Sequence, residues 1–264
     1  MIELRGISKK YPSRDVIADV NLRVEEGEFV SILGYSGSGK TTLISIAAGL
    51  RKADAGEVFI DGKPLNGFAD EASIVFQNYS LLPWFSALEN VRLAVESRFH
   101  EWSKDKQKQQ AKKYLELVGL GNAFEKSPKQ LSGGMRQRVA IARAFATEPK
   151  ILFLDEPFGA LDALTRGNLQ QELARMCASA ERPVTTLMIT NNVEEAILLS
   201  DRIVPLSRAP RSTLGPPVAV GLAKPRTAYM LMHDPEFVRI QAEIVEFLSG
   251  SKKAAEKSLQ EVAA

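Results

Sequence analysis

The chain has 264 residues, 45% of them apolar and 25% charged, with a formal net charge of +2. That size and mixture suit one large globular domain, or one domain with lobes. A charge so near balance argues against a nucleic-acid binder or a protein adsorbed on an anionic membrane. The lone cysteine, Cys177, excludes an internal disulfide and fits a reducing compartment; within Leu173-Ala-Arg-Met-Cys177 it reads as a small packing residue on a helix.

Met1-Ile-Glu-Leu-Arg-Gly-Ile-Ser-Lys-Lys10 has no apolar signal core. No window approaches the roughly 18 to 20 apolar residues of a membrane span, so membrane work would require docking on another chain. Val16, Ala18, Val20, Leu22 and Val24 alternate with more polar residues, which predicts a half-buried strand. Glu26-Gly27-Glu28 is a turn. Phe29 to Leu33 is a short apolar strand running into a glycine-rich loop. Thr41 to Leu50 reads as a helix ended by Gly49, and Glu57 to Gly62 as a strand with an Asp-Gly turn. These early strands are expected to be antiparallel.

From about residue 80 to 147 the pattern turns helical, with Ala111, Tyr114, Leu115 and Val118 on one face and a further helix within Ser132 to Thr147. Ile151 to Leu154, Val184 to Thr190 and Arg202 to Leu206 read as buried strands. Pro205, Pro210, Pro216 and Pro217 mark a boundary. Beyond it, Asp234-Pro235 opens a helix with Phe237, Ile240, Ile244, Phe247 and Leu248 on one side. Ser251 to Ala264 is polar and expected to fray. There is no internal repeat.

Gly34-Tyr35-Ser36-Gly37-Ser38-Gly39-Lys40-Thr41, followed by Thr42, fits the phosphate-loop pattern G-x-x-x-x-G-K-[ST]. Glycines let backbone N–H groups turn inward to an anion, and the following helix aims its N-terminal dipole there. Lys40 adds a point charge for the β- and γ-phosphates, and the Thr41 hydroxyl can take Mg²⁺. Asp155, at the end of a buried strand 115 residues after Lys40, suits a Mg²⁺ ligand, and Glu156 is placed to polarise an attacking water.

Leu131-Ser132-Gly133-Gly134-Met-Arg-Gln-Arg138 begins shortly before that acidic strand, Ser132 standing 23 residues ahead of Asp155. With this signature, the order of motifs (phosphate loop, Gln77, signature, Asp155-Glu156, Ala160-Leu161-Asp162) resembles the ABC transporter ATPases over nearly the whole chain. The resemblance implies an α/β fold: a RecA-like P-loop NTPase core, an N-terminal antiparallel β lobe and an α-helical lobe inserted at about 78–147. The ATPase domain would span 1–215, with a tail at 216–264. It also implies ATP and Mg²⁺ as ligands and a dimer, homo- or hetero-, in which one chain's phosphate loop faces the other's Ser132, Gly133 and Gly134. Gln77 would sense Mg²⁺ and water, Tyr11 would stack on adenine, and Asp162 would couple the two sites. The apolar Leu81-Leu-Pro-Trp-Phe85 would meet transmembrane permease subunits at the cytoplasmic face of the inner membrane. A periplasmic or lipid-anchored solute-binding protein would act indirectly, and no nucleic acid is expected.

One departure stands out. Where the family carries a histidine that touches the γ-phosphate, the strand Thr186 to Thr190 runs into Asn191-Asn192. The only histidines, His100 and His233, lie elsewhere. Asparagine can donate a hydrogen bond but carries no charge. Either Asn191 keeps the contact while Glu156 drives hydrolysis, or the site is a slow half-site or regulatory switch. Val75 to Trp84, Leu161 to Arg166 and Ile189 to Arg202 resemble the nitrate/sulfonate/taurine importers, and most of all the nitrate group; a sulfonate, taurine or other importer remains the alternative. A soluble ABC protein of DNA or the ribosome fits less well, since the chain has neither a long coiled coil between its motifs nor a second cassette.

Overall fold

The computed structural model describes residues 1–12, 14–178, 183–227, 229–230 and 234–262, with 251–262 as backbone only. The chain divides into two compact units, Met1–Ala69 with Thr185–Ala264, and Asp70–Val184.

The first unit holds two sheets. β1 (Ile2–Tyr11), β2 (Arg14–Val24), β4 (Ala55–Ile60) and β5 (Lys63–Pro64) form an antiparallel sheet in the order β2-β1-β4-β5. Ile2, Leu4, Val20, Leu22 and Val24 are buried on one face, as period-two alternation dictates. The second sheet carries β3 (Phe29–Leu33), β8 (Thr185–Thr190), β9 (Arg202–Pro205) and β10 (Val218–Ala219) in the order β10-β9-β3-β8. Here the expectation of antiparallel early strands needs correction for Phe29 to Leu33: β3 runs parallel to both β8 and β9, with Leu33 opposite Thr190 and Pro205. All five β3 residues are buried. A run buried at every position, with Ser31 its one polar residue, is what a strand covered on both faces requires.

Among the described residues, this unit carries the helices α1 (Lys40–Ala47), α6 (Val193–Leu199) and α7 (Pro235–Val262). α7 buries Phe237, Ile240, Ile244 and Leu248 against Leu33, Ile197, Ile203 and Val218. Its helical backbone continues past Ser251 to Val262. Alanine, lysine, glutamate and glutamine beyond Ser251 are all strong helix formers.

In the second unit, β6 (Ala72–Val75) pairs in parallel with β7 (Ile151–Asp155). α2 (Ala87–Arg98), α3 (Lys104–Leu117) and α4 (Gly133–Phe145) pack on one another. α2 opens with a capping box, Ser86 with Glu89, and α3 is capped by Ser103. Arg138 on α4 donates to Glu172 of α5 (Ala163–Cys177) and to the Val118 carbonyl at the end of α3, both at 2.7 Å. Cys177 is buried on α5. Among the described residues no helix is long and apolar enough to cross a membrane.

Candidate functional site

The phosphate loop grows from the carboxyl end of β3. The Gly34 N–H donates to the Thr190 carbonyl at 3.3 Å, and the Leu206 N–H donates to the Leu33 carbonyl at 2.7 Å. The loop is thereby fixed to the strands on both sides. Gly39 precedes the first turn of α1 with φ 93°, and a Cβ there would lie 2.7 Å from Val16 Cγ1. Conformation and space both demand glycine at that position. Lys40 is only 4% exposed, and its ammonium donates to the Gly34 and Tyr35 carbonyls at 3.0 Å each. The Ser38 hydroxyl is buried without a partner. A buried cation beside an orphaned hydroxyl, at a helix N-terminus, matches the oxygens of a phosphate chain.

Around the loop, Ser36, Gly37 and Thr41 are exposed, and Tyr35 and Thr42 half-buried. Tyr11 pairs with Arg14 at the end of β1; its ring is exposed, with the Arg51 guanidinium carbon 5.7 Å from the centroid. Asn191 is exposed and makes no side-chain hydrogen bond among the described residues. Its neighbour Asn192 caps α6 by accepting from the Glu195 N–H at 3.0 Å, while the Thr190 hydroxyl donates to the buried Glu195 carboxylate in a short bond. The turn that carries Asn191 is therefore held by the side chains on either side of it, while the Asn191 side chain itself is exposed. His100 is exposed in the second unit, and His233 lies outside the described residues.

The second unit gathers the remaining motif residues. β7 is buried throughout and ends at Asp155. Glu156 then adopts φ 44°, a left-handed conformation for a non-glycine residue. Such strain is of order 1–3 kcal/mol and collects at functional positions. The Gln77 amide reaches the Glu156 carboxylate at 3.5 Å, so the structure brings these two together. Ser132 caps α4 by accepting from the Met135 N–H at 3.2 Å. That leaves Gly133 and Gly134 at the start of the helix, with N–H groups that find no partner among the described residues. A Cβ on Gly134 would meet Thr165 Cγ2 at 2.5 Å. Asp162 caps α5, and the Thr165 N–H that it accepts holds its carboxyl below the usual range.

Two structural residues around Gln77 escaped the sequence reading. Arg143 of α4 reaches back to the turn after Gln77, donating to the Ser80 carbonyl at 2.6 Å and the Tyr79 carbonyl at 2.9 Å. Tyr79 and Ser80 both have positive φ, 65° and 45°. Burial of this guanidinium holds its pKa below the usual value. Asn90 is buried in α2, where its amide donates to the Leu82, Phe85 and Ser86 carbonyls and accepts from the Leu82 N–H at 2.8 Å. It sets the shape of the segment from Leu81 to Phe85, from which Trp84 projects 72% exposed. A polar residue inside an apolar-periodic helix was the one available sequence signal for Asn90.

A family model described as ABC transporter matches residues 17–159. The chain belongs to the ABC transporter family. The nitrate import ATP-binding protein NrtD of Synechococcus elongatus is 45% identical over 232 residues, 88% of this chain and 84% of that one. The nitrate transport protein NasD of Klebsiella oxytoca is 40% identical, over 94% of this chain and 96% of its own. The bicarbonate transport ATP-binding protein CmpC of Synechococcus elongatus is 42% identical over 99% of this chain, which spans only 40% of that relative's length. Among solved structures, the dimeric ATP-binding cassette MJ0796 bound to ADP and Pi superposes with a TM-score of 0.76 at 33% identity, covering 84% of this chain and all of that one. The architecture is that of an ABC ATPase: a P-loop α/β core with an antiparallel β sheet and a helical part.

Proposed function

We propose that the chain is the ATP-hydrolysing subunit of an ABC importer for a small oxyanion, nitrate above all. The observation that carries the ATPase reading is the loop from Gly34 to Lys40, in which a buried ammonium and an orphaned hydroxyl stand at the start of α1. Lys40 and the loop amides hold the β- and γ-phosphates, and Tyr11 stacks on the adenine. Thr41, Gln77 and Asp155 are the residues suited to Mg²⁺, which when bound neutralises charge developing on the transferred phosphoryl group. Glu156 accepts the proton of the attacking water, with Gln77 positioning that water beside it. Asn191 donates a neutral hydrogen bond to the outer phosphate.

Two chains close on two nucleotides, Ser132, Gly133 and Gly134 of one offering free N–H groups to the nucleotide of the other, with Asp162 coupling the pair. Trp84 is the residue that meets the permease, because so large an exposed aromatic on a hydrogen-bonded scaffold is a typical anchor. The subunit then sits on the cytoplasmic face of the membrane without entering it.

The relatives named for nitrate support that substrate. Those named for bicarbonate, at similar identity, support a second reading, and both are planar trigonal oxyanions. The test is phosphate release by the chain assembled with its permease in lipid, with binding protein loaded with nitrate, bicarbonate or neither. Stimulation by nitrate alone upholds the main reading, and stimulation by bicarbonate alone establishes the second. No hydrolysis in any arm refutes the engine and leaves a regulatory half-site.

A further inference from the structure

We propose that Arg208 is a contact for the outermost phosphate of the bound nucleotide, supplying the positive charge that Asn191 cannot. This deepens the ATPase reading and rests on it.

The argument begins with the sheet edge. β8, β3 and β9 are parallel neighbours whose carboxyl ends are aligned, Leu33 standing opposite both Thr190 and Pro205. Ligands of open α/β sheets bind outside the carboxyl ends of the strands. Three segments leave this edge: that starting at Asn191 after β8, Gly34-Tyr35 after β3, and Leu206 with its successors after β9. The phosphate loop therefore has Asn191 on one flank and the segment Leu206 to Arg208 on the other.

That second flank is tied down by hydrogen bonds. Ser207 N–H donates to the Thr213 carbonyl and Thr213 N–H to the Ser207 hydroxyl, both at 2.9 Å. Arg211 and Ser212 donate to the Asp15 and Val16 carbonyls at 3.0 Å, tying the hairpin to β2. Val16 is the residue against which Gly39 of the phosphate loop packs. One continuous framework thus carries the loop and Arg208 together.

From this hairpin the Arg208 guanidinium lies over the ring of Tyr35, its carbon 3.7 Å from the centroid. Tyr35 is the second residue of the phosphate loop, and its carbonyl accepts from Lys40 at 3.0 Å. Arg208 has no ion pair and no hydrogen bond among the described residues, and its Nε is buried without a partner. A half-buried guanidinium stacked on an aromatic ring keeps its outer N–H groups aimed and its charge unneutralised. Arginines of that kind are suited to phosphate oxygens, which they can take in a fork. The loop thus has the neutral Asn191 on one flank and, on the other, a stacked arginine with no ion pair or hydrogen bond among the described residues.

The test measures nucleotide affinity of the full chain by titration calorimetry with ATP, ADP and AMP, in EDTA to keep the nucleotide intact. Arg208→Ala and Arg208→Gln are expected to weaken ATP about tenfold, the scale of a lost charge-assisted bond, while ADP changes little. Arg208→Lys should fall between, since it keeps the charge but not the fork. Placing Asn191→His in the Arg208→Gln background should recover part of the loss. If ATP affinity is unchanged in the Gln variant, or if ATP and ADP fall by the same factor, Arg208 merely props Tyr35 and the proposal is overturned. Lys40→Ala separates this from the underlying reading: if that variant binds ATP as well as the parent chain does, the nucleotide site itself is misplaced.

Discussion

Replacing Arg143 by methionine keeps most of the side-chain volume and deletes the two bonds that fasten the turn after Gln77. The lost interactions are charge-assisted, at 2.6 and 2.9 Å, to two consecutive carbonyls. Each such bond contributes about 1.5–3 kcal/mol. Part of that is returned, because a cation no longer has to be desolvated and because the exposed Ser80 carbonyl can turn to water. A net loss of about 1–2 kcal/mol follows, a fall in Tm of several degrees for a chain of this length. The functional cost should be larger in proportion. Tyr79 and Ser80 are held in the left-handed region, and once released they relax and carry Gln77 away from Glu156. Displacing a positioning group by an ångström can cost a hundredfold, so turnover should drop at least about tenfold. Thermal unfolding and phosphate release, measured on the same preparation, decide the matter. A lowered Tm with undiminished turnover would show that the Arg143 clamp holds the fold and does nothing for Gln77.

Three further outcomes are expected. Glu156→Gln should bind ATP normally and lose nearly all turnover; a variant that still hydrolyses at the parent rate removes Glu156 from the chemistry. Gly39→Ala forces a Cβ to within 2.7 Å of Val16 Cγ1 at φ 93°, a distortion of about 1–3 kcal/mol, and nucleotide affinity should fall in equilibrium titration while the far-ultraviolet dichroism is retained. Arg226→Ala removes a buried guanidinium that donates to the carbonyls of Ile197, Ser200, Val220 and Leu222. Orphaning those acceptors should cost about 3 kcal/mol or more, read as a shift of the urea midpoint; a shift below a third of that would mean that water replaces the arginine.

Much of this arrangement was legible because the sequence states it locally. The glycines and Lys40 of the phosphate loop, the caps Ser132 and Asp162, and the apolar runs of β3, β7 and β8 each declare themselves within a few residues. β1 was missed because its alternation breaks: Gly6 has φ 61° and the pairing register shifts between Leu4 and Ile7, so the apolar spacing changes from two to three. The strand direction of β3 was misjudged because its partners, β8 and β9, lie more than 150 residues away in the chain. Arg143 and Arg208 escaped for a related reason. An arginine that ends on a distant carbonyl or ring looks in sequence like any solvated arginine, and only the tertiary partner reveals its work.

The packing of α7 has a thermodynamic corollary. Phe237, Ile240 and Ile244 share one buried cluster with Leu33, and Tyr35 leans on the same cluster; these two residues flank Gly34, the first of the phosphate loop. Anything that tightens the loop on a ligand should therefore tighten the seat of α7 by the same factor, since free-energy coupling between two binding events is symmetric. Amide hydrogen exchange along Pro235 to Leu248 would then slow when nucleotide is added, making the C-terminal helix a built-in reporter of occupancy that touches no nucleotide itself.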